Sequence, residues 1–301
     1  MAIRSKGSVR SLLVTVTACA AALIGVLQVA SPAEGAGSTP LKYVSKNKAV
    51  PSDETVGVTT GHVTCPADHP LVTGGGLEVN GTDPGLDLEV GTSLSSNHLR
   101  NWTGAANNNS GNPATMTVFG ICARSGITHR VIKKTVGPDR QGKAQVLCPS
   151  GTKVTGGGVG VSGSNHTQEV ASSYPFDSSD ANAAPDNGWR GRGNNGQNKK
   201  VTLTVEVVCS HSGTYSYVHS SRKSVPNNAQ VPRRATCPTG SQVTGGGLSI
   251  TGTTLNTEVA DSFPFDGSDA GTTPDDGWQG NANNDGSGQT LKAQAFAICR
   301  H

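Results

Sequence analysis

Cys148-Pro149-Ser150-Gly151-Thr152-Lys153-Val154-Thr155-Gly156-Gly157-Gly158 returns almost unchanged as Cys237-Pro238-Thr239-Gly240-Ser241-Gln242-Val243-Thr244-Gly245-Gly246-Gly247. A looser copy stands earlier, Cys65-Pro66-Ala67-Asp68-His69-Pro70-Leu71-Val72-Thr73-Gly74-Gly75-Gly76. Each opening is answered by a closing: Trp102-Thr103-Gly104 through Asn107-Asn108 to Cys122, Trp189-Arg190-Gly191 through Asn194-Asn195 to Cys209, and Trp278-Gln279-Gly280 through Asn283-Asn284 to Cys299. Such a repeat fixes the organisation before any element is assigned. It gives three units, 41–123, 127–210 and 215–301, joined by short segments such as Ala123-Arg124-Ser125-Gly126.

Within the units the apolar period is two. Val201, Leu203, Val205, Val207 and Cys209 share one strand face, as do Leu291, Ala293, Ala295, Ala297 and Cys299, and Met116, Val118, Gly120 and Cys122. Thr202, Thr204 and Glu206 fall on the opposite, polar face, so the cysteines are expected to point inward. Lead-in strands precede each first cysteine: Tyr43-Val44 to Val50, Arg130-Val131 to Val136, and Tyr217-Val218 to Val225. No segment sustains a helical period, and Gly, Asn, Asp, Ser and Pro punctuate the rest. The pattern predicts an all-β protein of five or six strands per unit. The units form three tandem antiparallel β-sandwich-like repeats, or alternatively one pseudo-threefold β-prism whose three sheets share a core.

Residues 1–33 read as a secretory signal peptide: Arg4, Lys6 and Arg10, an apolar run from Leu12 to Val29, then Ser31-Pro32-Ala33 as the cleavage site. A short leader, 34–40, follows. Removing the signal takes Cys19 with it and leaves six cysteines, one pair per unit. Export and an even count imply disulfides, and identical units should close identically, as Cys65–Cys122, Cys148–Cys209 and Cys237–Cys299. No CxxC or HxxxH spacing offers a metal site. Aromatic residues are only 4% of the chain, so each unit's own core is thin and needs the cross-link.

The net charge of +3 belongs to the signal, whose three basic residues are unopposed. Without them, 24 basic residues become 21, equal to the 21 acidic ones. Basic groups such as Arg130, Lys133, Lys134 and Arg233, Arg234 carry no interleaved aromatics and read as solvated strand faces. Neither nucleic acid nor, after signal cleavage, a membrane is therefore expected as a partner.

The Gly-Gly-Gly runs follow strands, but no Lys-Ser/Thr or helix succeeds them, so they are read as close backbone passages against the Trp or the disulfide. The Trp is read as core, with a sugar-stacking platform as the alternative, and the Asn pair as a hairpin turn. Units two and three share a loop that unit one lacks: Tyr174-Pro175-Phe176-Asp177, Asp180 and Pro185-Asp186-Asn187-Gly188, matched by Phe263-Pro264-Phe265-Asp266, Asp269 and Pro274-Asp275-Asp276-Gly277. Its aromatics are expected to be exposed. Tyr174, Phe176, Asp177, Asp180, Phe263, Phe265, Asp266 and Asp269 are accordingly the candidate ligand-binding residues. No cofactor is expected beyond Ca²⁺ at these Asp-rich loops, whose spacing is not that of an EF-hand. The histidines fall at non-equivalent positions and no Gly-x-Ser-x-Gly or His-Glu-x-x-His occurs, so no catalytic residue is assigned.

The succession lead-in strand, Cys-Pro-x-Gly-x-x-Val-x-Gly-Gly-Gly, Ser-x-Pro, Gly-Trp, Asn and closing Cys resembles a module of secreted actinobacterial proteins, also found at the tips of some collagen-like and phage-tail proteins. The resemblance covers nearly all of 41–301. Unit one departs from it, with His69-Pro70 displacing the usual Gly and Ser93-Leu94-Ser95 in place of Ser-x-Pro. The three openings are also similar, more distantly, to the β-prism protein of the egg vitelline membrane outer layer. The resemblance implies an extracellular β module for display or attachment and brings no catalytic residue with it. The expectation is a secreted, extracellular, non-catalytic binding or structural protein, attaching to cell-wall or extracellular polysaccharide or to a surface protein. The alternatives are a glycan hydrolase using loop carboxylates, and an accessory or inhibitor subunit of a secreted complex.

Overall fold

The computed structural model describes residues 40–52, 58–81, 88–163, 167–178 and 180–301. The expected signal peptide and all of the leader but Pro40 lie outside them. Regular structure among the described residues is entirely β-strand. Repeat 1 holds β1 (Lys42–Val50), β2 (Thr59–Thr64), β3 (Leu71–Gly81), β4 (Leu88–Ser96), β5 (Asn101–Asn108) and β6 (Ala114–Ala123). Repeat 2 holds β7 (Ile127–Val136), β8 (Arg140–Leu147), β9 (Lys153–Val161), β10 (Val170–Phe176), β11 (Gly188–Asn195) and β12 (Val201–Ser210). In repeat 3 the lead-in strand is interrupted, giving β13 (Tyr215–His219) and β14 (Lys223–Val225), then β15 (Ala229–Thr236), β16 (Gln242–Ile250), β17 (Thr257–Phe265), β18 (Gly277–Asn284) and β19 (Leu291–Arg300).

Each repeat forms two layers of three strands, as a sandwich would, with β13 and β14 of repeat 3 together standing for one interrupted lead-in strand. The lead-in, closing and Gly-Gly-Gly strands make one, β1-β6-β3 in repeat 1, and the remaining strands make the other, β2-β5-β4. Both layers are then continued by neighbours. The three sheets run β1-β6-β3-β17-β18-β15, β2-β5-β4-β9-β12-β7 and β13-β19-β16-β10-β11-β8. Every sheet is therefore half one repeat and half another, and the joins β3–β17, β16–β10 and β9–β4 lead from repeat 1 to 3 to 2 and back to 1. This is the pseudo-threefold arrangement. It also answers the thin-core problem, because three poor cores are pooled into one hydrophobic cluster with a better ratio of interior to surface.

The Val-Thr-Gly-Gly-Gly run builds the axis. A register shift at Thr73, Thr155 and Thr244 turns each threonine toward the neighbouring repeat. Thr73 Oγ1 donates to the Thr244 carbonyl (3.0 Å), Thr244 Oγ1 to Thr155 (2.8 Å), and Thr155 Oγ1 to Thr73 (3.1 Å), closing a ring of three buried hydrogen bonds. Backbone this close leaves no room for a Cβ at Gly74, Gly156 or Gly245. The second glycines, Gly75, Gly157 and Gly246, lie against the indole rings of Trp102, Trp189 and Trp278. Those rings are fully buried and donate Nε1–H to Ser93, Ser173 and Ser262 at 2.9, 2.9 and 2.8 Å.

The disulfides pair Cys65–Cys122, Cys148–Cys209 and Cys237–Cys299, within repeats. Two local expectations are corrected. The Asn pairs do not form turns: they end β5, β11 and β18, and the second of each pair, Asn108, Asn195 and Asn284, holds the lead-in strand by donating to the carbonyls of Val50, Val136 and Val225. Glu206 is not solvated. It is 2% exposed, because β4 of repeat 1 packs over it and Ser95 donates to it through both its backbone N–H (2.9 Å) and its hydroxyl (2.5 Å).

Candidate functional site

In every repeat the turn after the first cysteine is fastened to the segment that enters the Trp strand. Cys65, Cys148 and Cys237 donate backbone N–H to Arg100, Asn187 and Asp276, while Val72, Val154 and Val243 donate to Leu99, Asp186 and Asp275. The same frame carries three different contents. In repeat 1 no long loop intervenes: Asn97, His98 and Leu99 make a tight left-handed turn (φ 50°, 53° and 65°), and buried Leu99 fills the space.

In repeat 3 the loop stands away from the turn and leaves a cleft of 690 Å³, bordered by Arg234, Gln242, Phe265, Asp269, Asp275 and Asp276. That volume lies in the range of small-ligand sites. Exposed Asp266 and Asp269 bring carboxylate oxygens within 4.8 Å of that of half-buried Asp276. Asp276 also accepts the Gly267 N–H at 2.6 Å, and Asp269 the Gly271 N–H at 2.7 Å, so two of the three carboxylates are held by the loop itself. Three hard oxygen donors this close are a ligand set for a cation such as Ca²⁺ or for sugar hydroxyls.

In repeat 2 the cleft shrinks to 230 Å³ and its charge is answered internally. Lys153, where repeat 3 has Gln242, forms an ion pair with Asp186. Asn187, where repeat 3 has Asp276, donates to Asp180 at 2.9 Å. That amide, with the Asn182 N–H, holds the exposed Asp180 carboxyl below its ordinary value. Asp177 is half-buried.

The aromatic half of the expected site is elsewhere. Phe176, Phe263 and Phe265 are buried and Tyr174 is half-buried, which corrects the expectation of exposed rings. Phe263 stacks on Phe119 of repeat 1 (centroids 5.8 Å apart) and Tyr174 on Phe296 of repeat 3 (5.6 Å). These pairs seal the sheet joins. Phe176 and Phe265 lie beneath the guanidinium groups of Arg190 and Arg234, at 4.6 and 4.2 Å. Only Phe265 borders the open cleft. The structure thus brings together Phe265, Asp266 and Asp269, and adds Arg234, Gln242, Asp275 and Asp276. Asp275 and Asp276 lay in the expected loop, but Arg234 belongs to the preceding strand and carried no sequence signal toward it.

The Trp side chains are core, with no face left for a sugar. The third join, between repeats 1 and 2, carries no aromatic stack among the described residues. There His129 Nδ1 lies 2.6 Å from Glu206, and this bond raises the pKa of His129 against the opposing effect of its partial burial. Comparison of the chain with protein-family models and with curated proteins finds no match.

Proposed function

We propose that this is a secreted, non-catalytic binding protein that attaches to cell-surface glycan or to a surface protein, with the repeat 3 cleft as its main contact. One observation carries the reading. Three equivalent frames hold a filled space, a pocket whose Asp186 and Asp180 are answered by Lys153 and Asn187, and an open cleft where Gln242 answers only Asp275, leaving the clustered Asp266, Asp269 and Asp276 with no lysine or side-chain amide bonded to them among the described residues. Packing alone would not distinguish the three copies so sharply. The carboxylates accept hydrogen bonds from vicinal sugar hydroxyls, or hold a Ca²⁺ that coordinates the hydroxyl oxygens, and the Arg234 guanidinium laid over Phe265 forms one wall of the cleft. The three disulfides fit an oxidising compartment. No helix among the described residues is long and apolar enough to cross a membrane.

The test is co-sedimentation with isolated cell walls and insoluble glycans, with and without Ca²⁺, beside a pull-down from culture medium. Binding that is lost in a folded Asp269→Asn/Asp276→Asn variant supports the reading. Release of reducing sugar from the glycan would replace it with the hydrolase. Recovery of one stoichiometric soluble protein, with no glycan binding, would replace it with the accessory subunit.

A further inference from the structure

The lead-in strands of all three repeats carry lysine or arginine and no carboxylate, and each lies at a sheet edge. Two of the three corners use much of this charge internally. Lys42 pairs with Asp68 and Lys48 donates to the Thr60 carbonyl. Arg222 donates to Gln294, Arg233 to the Ser221 carbonyl, and Arg234 covers Phe265. The corner made by β7 and β8 does not. Arg130, Lys133, Arg140 and Lys143 are exposed and, among the described residues, have no side-chain hydrogen bond or ion pair. Lys134 reaches only its neighbour's carbonyl, that of Lys143 (3.0 Å). The one carboxylate in residues 127–147 is Asp139, in the turn between the two strands. Among the described residues the three large apolar side chains that stand exposed, Val131 (47%), Ile132 (41%) and Leu147 (45%), are on these same two strands.

Edge lysines guard a sheet against pairing with another, and that accounts for cations on β7. It does not account for two strands without a strand carboxylate, nor for exposed Val, Ile and Leu between the charges, which would weaken the guard. We propose that the β7–β8 corner is a docking surface for a linear acidic polysaccharide, its carboxylates meeting the five cations and the apolar faces of its sugar rings meeting Val131 and Ile132. The chemistry separates this partner from two others. A duplex nucleic acid is far wider than an edge of two strands, and single strands are held by aromatic stacking, whereas residues 127–147 contain no Phe, Tyr or Trp. An anionic bilayer attracts clustered cations as well, but a flat surface meets them without a contact for the ring-sized apolar side chains between them, and vesicles are therefore one of the competitors below. The corner belongs to repeat 2 and is separate from the repeat 3 cleft, so the two proposals stand or fall independently.

The experiment is affinity electrophoresis and calorimetry of the full chain with polygalacturonate. Neutral galactan, duplex DNA and phosphatidylglycerol vesicles serve as competitors. Binding to polygalacturonate that weakens steeply with salt, with none to galactan, is expected. An Arg130→Gln/Lys133→Gln/Lys143→Gln variant with an unchanged melting temperature should bind at least tenfold more weakly. The Asp269→Asn/Asp276→Asn variant should bind as the parent does. A control with Lys46→Gln/Lys223→Gln separates this corner from diffuse charge, since an equal loss there would overturn the assignment. Tighter binding to DNA or to vesicles than to polygalacturonate, or an unaffected triple variant, would overturn it too.

Discussion

Gly245→Ala tests the axis directly. A methyl group there would sit 2.5 Å from the Thr155 carbonyl oxygen and 2.8 Å from the Gly156 Cα of the neighbouring repeat. Both obstacles are backbone, so no rotamer relieves them. Restoring ordinary contact means moving β16 away from β9 by most of an ångström. That breaks the 2.8 Å bond from Thr244 Oγ1 to Thr155 at the same place. The lost bond costs about 1 kcal/mol, and overpacking a closed core adds about 1–3 kcal/mol. Against this, alanine restricts the unfolded chain and returns about 0.4–1 kcal/mol. The loss wins, by roughly 1–3 kcal/mol. For a body of this size that lowers the melting temperature by very roughly 2–12 °C. Differential scanning calorimetry under non-reducing conditions reads it. Gly111→Ala is the matched control, because nothing lies within 4 Å of its Cβ position, and it should be neutral or slightly stabilising. A Gly245→Ala protein that melts with or above the parent, disulfides intact, would refute the ring as the element that joins the repeats.

Three further outcomes are expected. Ser173→Ala leaves the buried Trp189 N–H without its acceptor and should destabilise by about 1–3 kcal/mol, read by denaturant titration of tryptophan fluorescence. Stability should fall as pH rises from about 5 to 8. Burial pushes Asp261 up to about 7 and Glu169 up to about 8, so folding keeps protons that the unfolded chain releases near 4. His129, raised by its bond to Glu206, contributes fully below its unfolded value of 6.5 and loses that contribution as pH rises through its higher folded value. The lowered carboxylates Asp68 and Asp180 act below 3.8, outside this window. A melting temperature that is flat from pH 5 to 8 would contradict all three groups, and Asp261→Asn should remove the part of the fall below 7. Finally, Asn187→Asp with Lys153→Gln gives repeat 2 the acidic set of repeat 3. Calorimetric Ca²⁺ titration should then count one more site than in the parent, and an unchanged count would sever the link between these substitutions and the cation.

The strands and disulfides were legible because period-two alternation and near-identical cysteine framing are local signals. Val201 to Cys209 reads as inward-facing from the sequence and is inward-facing in the structure. The sharing of layers was not legible, because it depends on a register shift at one threonine per repeat and on contacts between residues such as Thr73 and Thr244. The aromatic rings misled for the same reason. Beside prolines and aspartates, Phe263 and Tyr174 look like loop residues, and only their partners Phe119 and Phe296, far away in the chain, bury or cover them. One sequence signal did exist. Phe119, Glu206 and Phe296 each stand three residues before a closing cysteine, so the exception in repeat 2 marks the join that is built from polar groups.

Three copies on one chain act as an internal comparison, and agreement among them means something different from divergence. Thr-Gly-Gly-Gly, the Trp and the second Asn are the same in every repeat because each must fit the same neighbour around a closed ring. A change in one copy would open a join that the other two cannot close. The frame beside the first cysteine is under a weaker demand, since it lies outside the threonine ring and meets its neighbour through its backbone, as where Tyr43 and Tyr217 donate to the carbonyls of Val243 and Val154. There Leu99, Asp186 and Asp275 accept the same backbone hydrogen bond yet present an apolar plug, a carboxylate ion-paired to a lysine and a carboxylate bonded to the Gln242 amide at the edge of an open cleft. Identity therefore traces the axis, and divergence within a fixed hydrogen-bonded frame traces the surface on which the copies are free to differ. The repeat 3 cleft follows from that contrast more than from any single residue in it.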